Sequence, residues 1–222
     1  MAPGRNRRQS VTGVTIYMEG GGDSWHLKAQ LRQGMDEFLA SLKSQVQSKR
    51  WKWKLTPCGG RRAAHDAFMN ARRRPGRGEI IILLVDSEGP VTAATPTQHL
   101  QARPNDQWDL TGVAENVIHL MIQCMETWII ADPEALAKYF GRHFNSSALP
   151  RRHNLEEIPG PEVTRALARA TQRTTKREYR KIRDASALLR LIEPHKVRRR
   201  GASCERMFNE LGVLISGDRD PS

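Results

Sequence analysis

Glu79-Ile80-Ile81-Ile82-Leu83-Leu84-Val85-Asp86-Ser87-Glu88-Gly89-Pro90 decides how the chain is read. The six apolar residues from Ile80 to Val85 follow neither a helical nor an alternating period. Such a run fits a strand buried on both faces, as in a parallel sheet covered by helices. Gly89-Pro90 cannot prolong it. Asp86 and Glu88 therefore stand at the carboxyl end of a central strand, where open α/β sheets place their ligands. Two apart in an extended chain, both lean to one side. Their charges repel unless a cation lies between them, and a divalent ion with oxygen ligands is the natural partner. The plain alternative is a solvated turn that happens to be acidic.

Upstream, Val11 to Met18 is rich in β-formers, weakened by Gly13, and ends in Glu19-Gly20-Gly21-Gly22-Asp23. Three glycines permit a tight turn and a close backbone approach. Their spacing is not the GxGxxG of dinucleotide folds. Glu19 is an acid at a strand tip, so it converges with Asp86 and Glu88 if the two strands are neighbours. Ser24 is placed to cap a helix. Leu27, Leu31, Met35, Phe38, Leu39 and Leu42 carry that helix to about Ser48. Trp51-Lys52-Trp53-Lys54-Leu55 alternates as a second strand with one wet face. Alternating Trp and Lys also suit base stacking and phosphate contact, although tryptophan on a strand is more often core. Cys58-Gly59-Gly60-Arg61-Arg62 then suggests a phosphate-binding turn at a helix start. That helix runs through Ala64, Phe68 and Ala71 into the basic loop Arg72 to Gly78. Strand, helix, strand, helix, strand predicts a parallel sheet with right-handed crossovers.

Downstream, residues 89–111 read as loop, and Val117 to Ile122 as a fourth strand. Glu126 reads as a third strand-tip acid. Asp132 reads as the N-cap of a helix opened by Pro133 and closed by Gly141. Beyond Pro150 come short basic amphipathic helices at 162–173, 178–192 and about Ser203 to Leu211, with a frayed end from Ser216. The expectation is an α/β fold of about four mostly parallel strands over residues 11–145. A small basic helical extension over 146–215 packs on it, and a disordered basic tail occupies residues 1–10.

The chain has 222 residues and a net charge of +12, and the charge is unevenly placed. Residues 49–78 carry ten Lys and Arg against Asp66, or +9; residues 79–150 carry three basic and nine acidic residues, or −6. Residues 151–200 carry fifteen basic and six acidic residues, or +9. An acidic centre between basic flanks suits a metal site inside a polyanion-binding surface; solvated helix faces are the alternative. No run is long enough to span a membrane. The first ten residues lack the apolar core of a secretory signal. Three scattered cysteines suit a reducing cytoplasm, and the seven histidines show no zinc spacing.

Glu19 in MEGGG, followed by Asp86 and Glu88 in LLVDSEGP, resembles the acid pattern of the Toprim domain, with Glu88 where an Asp is common. A closer resemblance spans nearly the whole chain. EGGGD, CGGRR, LLVDSE, HLMIQCMETWIIADPEALAKYFG and TTKREYRKIRDASALLRLIEP are similar to the bacterial domain-of-unknown-function 4276 family. That family resembles Toprim nucleases that work beside ABC-class or OLD-type ATPases in anti-phage defence. The resemblance implies a cytoplasmic Mg2+- or Mn2+-dependent nuclease acting on DNA or RNA, tRNA included, with an ATPase partner and room for a homo-oligomer. It implies Glu19, Asp86 and Glu88 as metal ligands, Glu126 as a further one, and a catalytic Lys176, for which a solvated lysine is the alternative. Arg61, Arg62 and Lys181 are expected to hold the nucleic-acid backbone. The alternative function is a degenerate binding or regulatory subunit of an ATPase complex. A phosphatase using Asp86 is weaker, because the usual second Asp and Thr do not follow it. None of Tyr17, Tyr139 and Tyr179 is marked as an activated nucleophile.

Overall fold

The computed structural model describes residues 11–74 and 78–217. Four parallel strands, β1 (Gly13–Met18), β2 (Lys52–Pro57), β3 (Glu79–Asp86) and β4 (Ile118–Met121), lie in the order β2-β1-β3-β4. Helices flank the sheet, so the expected α/β class holds. The decisive run is the inner strand β3, bonded to β1 on one side and β4 on the other. Ile82 to Val85 are fully buried, as a strand covered on both faces requires.

The chain leaves β1 outward to β2, returns past β1 to β3, and continues to β4. The direction of travel therefore reverses between β1 and β3. Right-handed crossovers then put the helices after β1 and after β2 on opposite faces. A crevice opens at the carboxyl ends of the two inner strands, where a ligand can enter.

The single helix expected after β1 is two, α1 (Trp25–Phe38) and α2 (Ala40–Ser48), with a bend at buried Leu39. Leu31, Met35, Phe38, Leu42 and Val46 are buried on both sides of the bend, so the apolar period alone could not show it. The next helix, α3 (Arg61–Arg72), follows β2 as expected. Trp51 and Trp53 are half-buried against the core, and Trp53 Nε1 donates to Asp36 Oδ1 at 2.8 Å. The segment 89–111 is not all loop. It holds α4 (Pro96–Ala102), opened by Pro96 and capped by Thr95, whose Oγ1 accepts from the Gln98 amide at 3.2 Å.

After β4 come α5 (Met125–Ile129) and α6 (Pro133–Phe140), the latter capped as expected by Asp132. The extension contains α7 (Gly160–Thr171), α8 (Lys181–Leu189), α9 (Pro194–Arg200) and α10 (Ala202–Ser216). Sequence periodicity missed the two-turn α9. One buried cluster runs from Val14 to Ile215, so the extension shares the core of the sheet. Helix α8 packs on α1 through Gly34, where a Cβ would meet Ser186 O at 2.5 Å. Helix α10 packs on β4 and α2, with Phe208 edge-on to Phe38, which stacks on Trp128. The expected basic tail 1–10, residues 75–77 of the basic loop and residues 218–222 lie outside the described residues.

His119 on β4 is buried, with Glu210 Oε2 3.8 Å away. Burial, helped by the Arg206 charge, pushes its imidazole down to about 3. The folded chain thus binds this proton less well than the unfolded one. Stability attributable to His119 is complete above about pH 6.5 and is lost as pH falls toward 3. Replacing it by Leu should remove on the order of 2 kcal/mol of the stability that wild type loses between pH 7 and 5. Urea melts across that range check the expectation; parallel curves for the two proteins would contradict it. Gly34→Ala should cost about 1–3 kcal/mol by overpacking the α1–α8 contact. By contrast Gly212→Ala on α10, where a Cβ meets nothing within 4 Å, should gain about 0.5–1 kcal/mol. Thermal melts shifting in the same direction for both would refute the close approach.

Candidate functional site

The site is built at the carboxyl ends of β1 and β3. Glu19 directly follows β1, and its amide donates to Leu84 O of β3 at 3.0 Å. The turns after β1 and β2 clasp each other: Gly20 and Gly59 exchange backbone hydrogen bonds of 2.8 and 2.9 Å. Gly59 has φ +85°, and a Cβ there would stand 2.7 Å from Gly22 O. The close approach that the glycines permit is therefore between the two turns themselves.

Arg61, expected to face a phosphate, turns inward. Its Nε donates to Asp106 Oδ1 at 2.8 Å and its Nη2 to Asp106 Oδ2 at 2.6 Å. Its Nη1 reaches Glu19 Oε2 at 3.3 Å and the Asp86 carbonyl, and the guanidinium lies over the Trp108 ring. Burial pulls the Asp106 carboxyl up, but the Arg61 fork and Arg103 hold it below the usual range. Burial pushes Glu19 up against the pull of Arg61. Glu19 Oε2 also accepts from the Asp86 amide at 3.2 Å, so the two strand-tip acids are joined as expected for neighbouring strands.

Asp86 is 5% exposed, and its Oδ2 lies 3.4 Å from Lys181 Nζ. The same ammonium lies 3.4 Å from Glu126 Oε2, while the Tyr179 hydroxyl donates to Glu126 Oε1 at 3.0 Å. Asp86 Oδ1 is buried with no hydrogen-bond partner. Burial pushes the Asp86 carboxyl up to about 7; Lys181 pulls it down, and Glu19 and Glu126 push it up again. Lys181 is held above the ordinary lysine range because Asp86 and Glu126 outweigh its desolvation. Cys124, beside them, is pushed up to about 12 by burial and then by Glu126, so its thiol stays protonated at neutral pH.

The structure corrects two further expectations of position. Glu126 is not at a strand tip but in the first turn of α5, where a buried helix carries it back to Asp86. Glu88 does not lie alongside Asp86 in extended chain either. Its φ is +52°, and its Oε2 pairs with Arg103 Nη2 at 3.2 Å. Asp86, Glu88, Gln123, Glu126, Tyr179 and Lys181 line a cleft of about 440 Å³. Arg62 is exposed and 3.8 Å from Asp66. Lys176 lies over the Tyr139 ring, 3.6 Å from its centre, rather than in the cleft. Among the described residues no three His, Cys, Asp or Glu side chains form a group ready to hold a metal. The place between Asp86 and Glu126 is filled by the Lys181 ammonium.

Three contributors went unread in the sequence. Arg103 and Asp106 sit in what reads as loop, and Tyr179 reads as packing. Only the fold shows that Arg103 donates to Ser87 O at 2.7 Å and to Asp106 at 2.7 Å, pinning the chain that leaves β3.

Removing Arg61 leaves buried Asp106 and half-buried Glu19 without their shared cation. Arg61→Ala should cost about 2–4 kcal/mol of unfolding free energy. Arg61→Lys should recover only part of it, since an ammonium cannot fork across both Asp106 oxygens. Urea titration measures both; a cost below about 0.5 kcal/mol for Arg61→Ala, the range of surface changes, would disprove the bridging role.

A search among curated proteins and one among solved structures each return no match. The model of one family, Domain of unknown function (DUF4276), matches residues 18–212, which run from the last residue of β1 into α10 and include every side chain of the site. The chain belongs to that family.

Proposed function

We propose that this protein is a metal-dependent nuclease that cleaves phosphodiester bonds of DNA or RNA in a Toprim-like site. The observation that carries the reading is the pair Asp86 and Glu126, which face one cation position where the strand order reverses, with Glu19 bonded alongside. Neighbouring β1 and β3, each ending in an acid on the same edge, are what the Toprim-like arrangement requires.

The carboxylate oxygens are of the kind Mg2+ or Mn2+ take while keeping several waters, and an ion would have to displace the Lys181 ammonium from between Asp86 and Glu126. Asp86 Oδ1 has an unused lone pair, and the Lys181 ammonium already marks the spot as one that stabilises positive charge. Asp86 and Glu126 would hold the ion, with Glu19 as the further carboxylate. When bound, such an ion polarises a phosphoryl oxygen and lowers the pKa of its water.

The chain's own groups do the rest. The Tyr179 hydroxyl fixes the orientation of Glu126, and Arg61 fixes Glu19. Lys181, on the cleft wall, offsets charge that develops on a phosphoryl group. Glu88 is anchored by Arg103 at the rim, and Lys176 and Arg62 lie outside the cleft, where they suit backbone contacts. An ATPase partner, a role in anti-phage defence and a cytoplasmic location follow from the family resemblance. Among the described residues no helix is long and apolar enough to cross a membrane.

One observation favours the second reading, a regulatory module docked on an ATPase: Lys181 pairs with both carboxylates without a metal. Purified protein should cut single- or double-stranded nucleic acid with Mg2+ or Mn2+, and Asp86→Asn or Glu126→Gln should reduce cutting at least about 100-fold. Calorimetric titration with Mn2+ should show binding that Asp86→Asn removes. Undiminished cutting by both variants would end the nuclease reading, and absence of Mn2+ binding would favour the module.

A further inference from the structure

The exposed face of α7 carries Arg165, Arg169 and Arg173 at four-residue steps, and Arg177 and Arg180 continue the series toward Lys181. The first two lie on the helix and Arg173 just past its end. On a helix, four-residue steps lie about 6 Å apart along one side. All five arginines are exposed, and among the described residues none makes an ion pair. The contrast within the same extension is sharp. Arg183 is bound by Asp184, Arg198 by Glu205 and Arg206 by Glu210. Unpaired like charges along one helix face repel each other.

Their position relative to the cleft is specific. Gly160, Pro161 and Thr164 at the start of α7 line the cleft, and so do Tyr179 and Lys181 at the end of the returning segment. The arginine series therefore begins one residue beyond the cleft wall and returns to it. The face is also free of exposed large apolar side chains. Those on the described surface are Trp25, Ile182, Leu191 and Val213, none of them on α7. A membrane-seeking helix or a protein interface would be expected to add apolar contact. A row whose arginines outnumber the exposed acids Glu162 and Glu178 suits a partner met through repeated negative charge.

We propose that this row is a nucleic-acid backbone track, with Arg165, Arg169 and Arg173 binding successive phosphates of a strand whose continuation enters the cleft. It rests on the phosphodiester reading of the cleft for its direction, but binding by the row is measured without cleavage. No sequence information is read by such contacts, so the track should accept any base order.

The test is fluorescence anisotropy of a fluorescein-labelled oligonucleotide of mixed sequence, with full-length protein in EDTA. The variant Arg165→Gln/Arg169→Gln/Arg173→Gln is compared with wild type. A control of equal charge loss, Arg32→Gln/Lys49→Gln/Arg50→Gln, alters the region around the opposite edge strand β2. The row variant should bind about 10- to 100-fold more weakly near 100 mM salt, and its log K against log salt slope should flatten by about 2–3. The control should stay within about threefold of wild type. Equal losses in row and control variants overturn the proposal, as does wild type that fails to bind. So does loss of binding to anionic phospholipid vesicles with oligonucleotide binding intact. Row-dependent binding by a protein that cuts nothing with Mg2+ would uphold the track and remove the nuclease reading instead.

Discussion

The Arg61 guanidinium holds the ends of the inner strands together. It spends two donors on Asp106, one on Glu19 and the Asp86 carbonyl, and lays its face on Trp108. Four segments distant in sequence meet there: the turn after β1, the start of α3, the end of β3 and the loop after α4. A parallel sheet leaves its strand ends without a common turn to fix them, so an outside agent must set their spacing. The planar, five-donor fork does so while staying charged at any working pH. Arg103 repeats the device one layer out, tying Asp106, Ser87 and Glu88.

Inside that frame the charges do not balance. Two acids at most 5% exposed, Asp86 and Glu126, share one lysine, and a third, Glu19, leans on the Asp86 amide. Burial, with the repulsion of Glu19 and Glu126 added, pushes Asp86 up to about 7 although an ammonium touches it. A fold selected for stability alone would gain by replacing such a cluster with apolar side chains. Such a cluster among otherwise well-packed helices is the feature on which the proposed site rests.

Much of this was legible in the sequence, and the limits have physical causes. The Ile80–Val85 run gave the inner strand, because continuous aliphatic character has few other homes. Its abrupt end gave Asp86, and the β-rich run before the glycines gave Glu19. Their neighbourhood needed the strand order, which no local pattern encodes. Glu126 was located as an acid but not as a helical one, because five residues of α5 are too few for a period to declare itself. Arg61 was read as outward because a glycine turn and an arginine commonly mean phosphate; its partner Asp106 lies 45 positions away. Lys181 was named for the backbone of a ligand, yet it is caught between two acids, a contact set by the packing of α8 on α1.

The mutual clasp of Gly20 and Gly59 staples two neighbouring turns. Two reciprocal backbone hydrogen bonds join them above β1 and β2 like a stitched seam, with the Lys28 side chain close against both. The cleft lies apart from that seam, and its wall includes Gly160, Pro161 and Thr164 at the start of α7. On the reading proposed above, a strand bound along α7 meets the acids from that side.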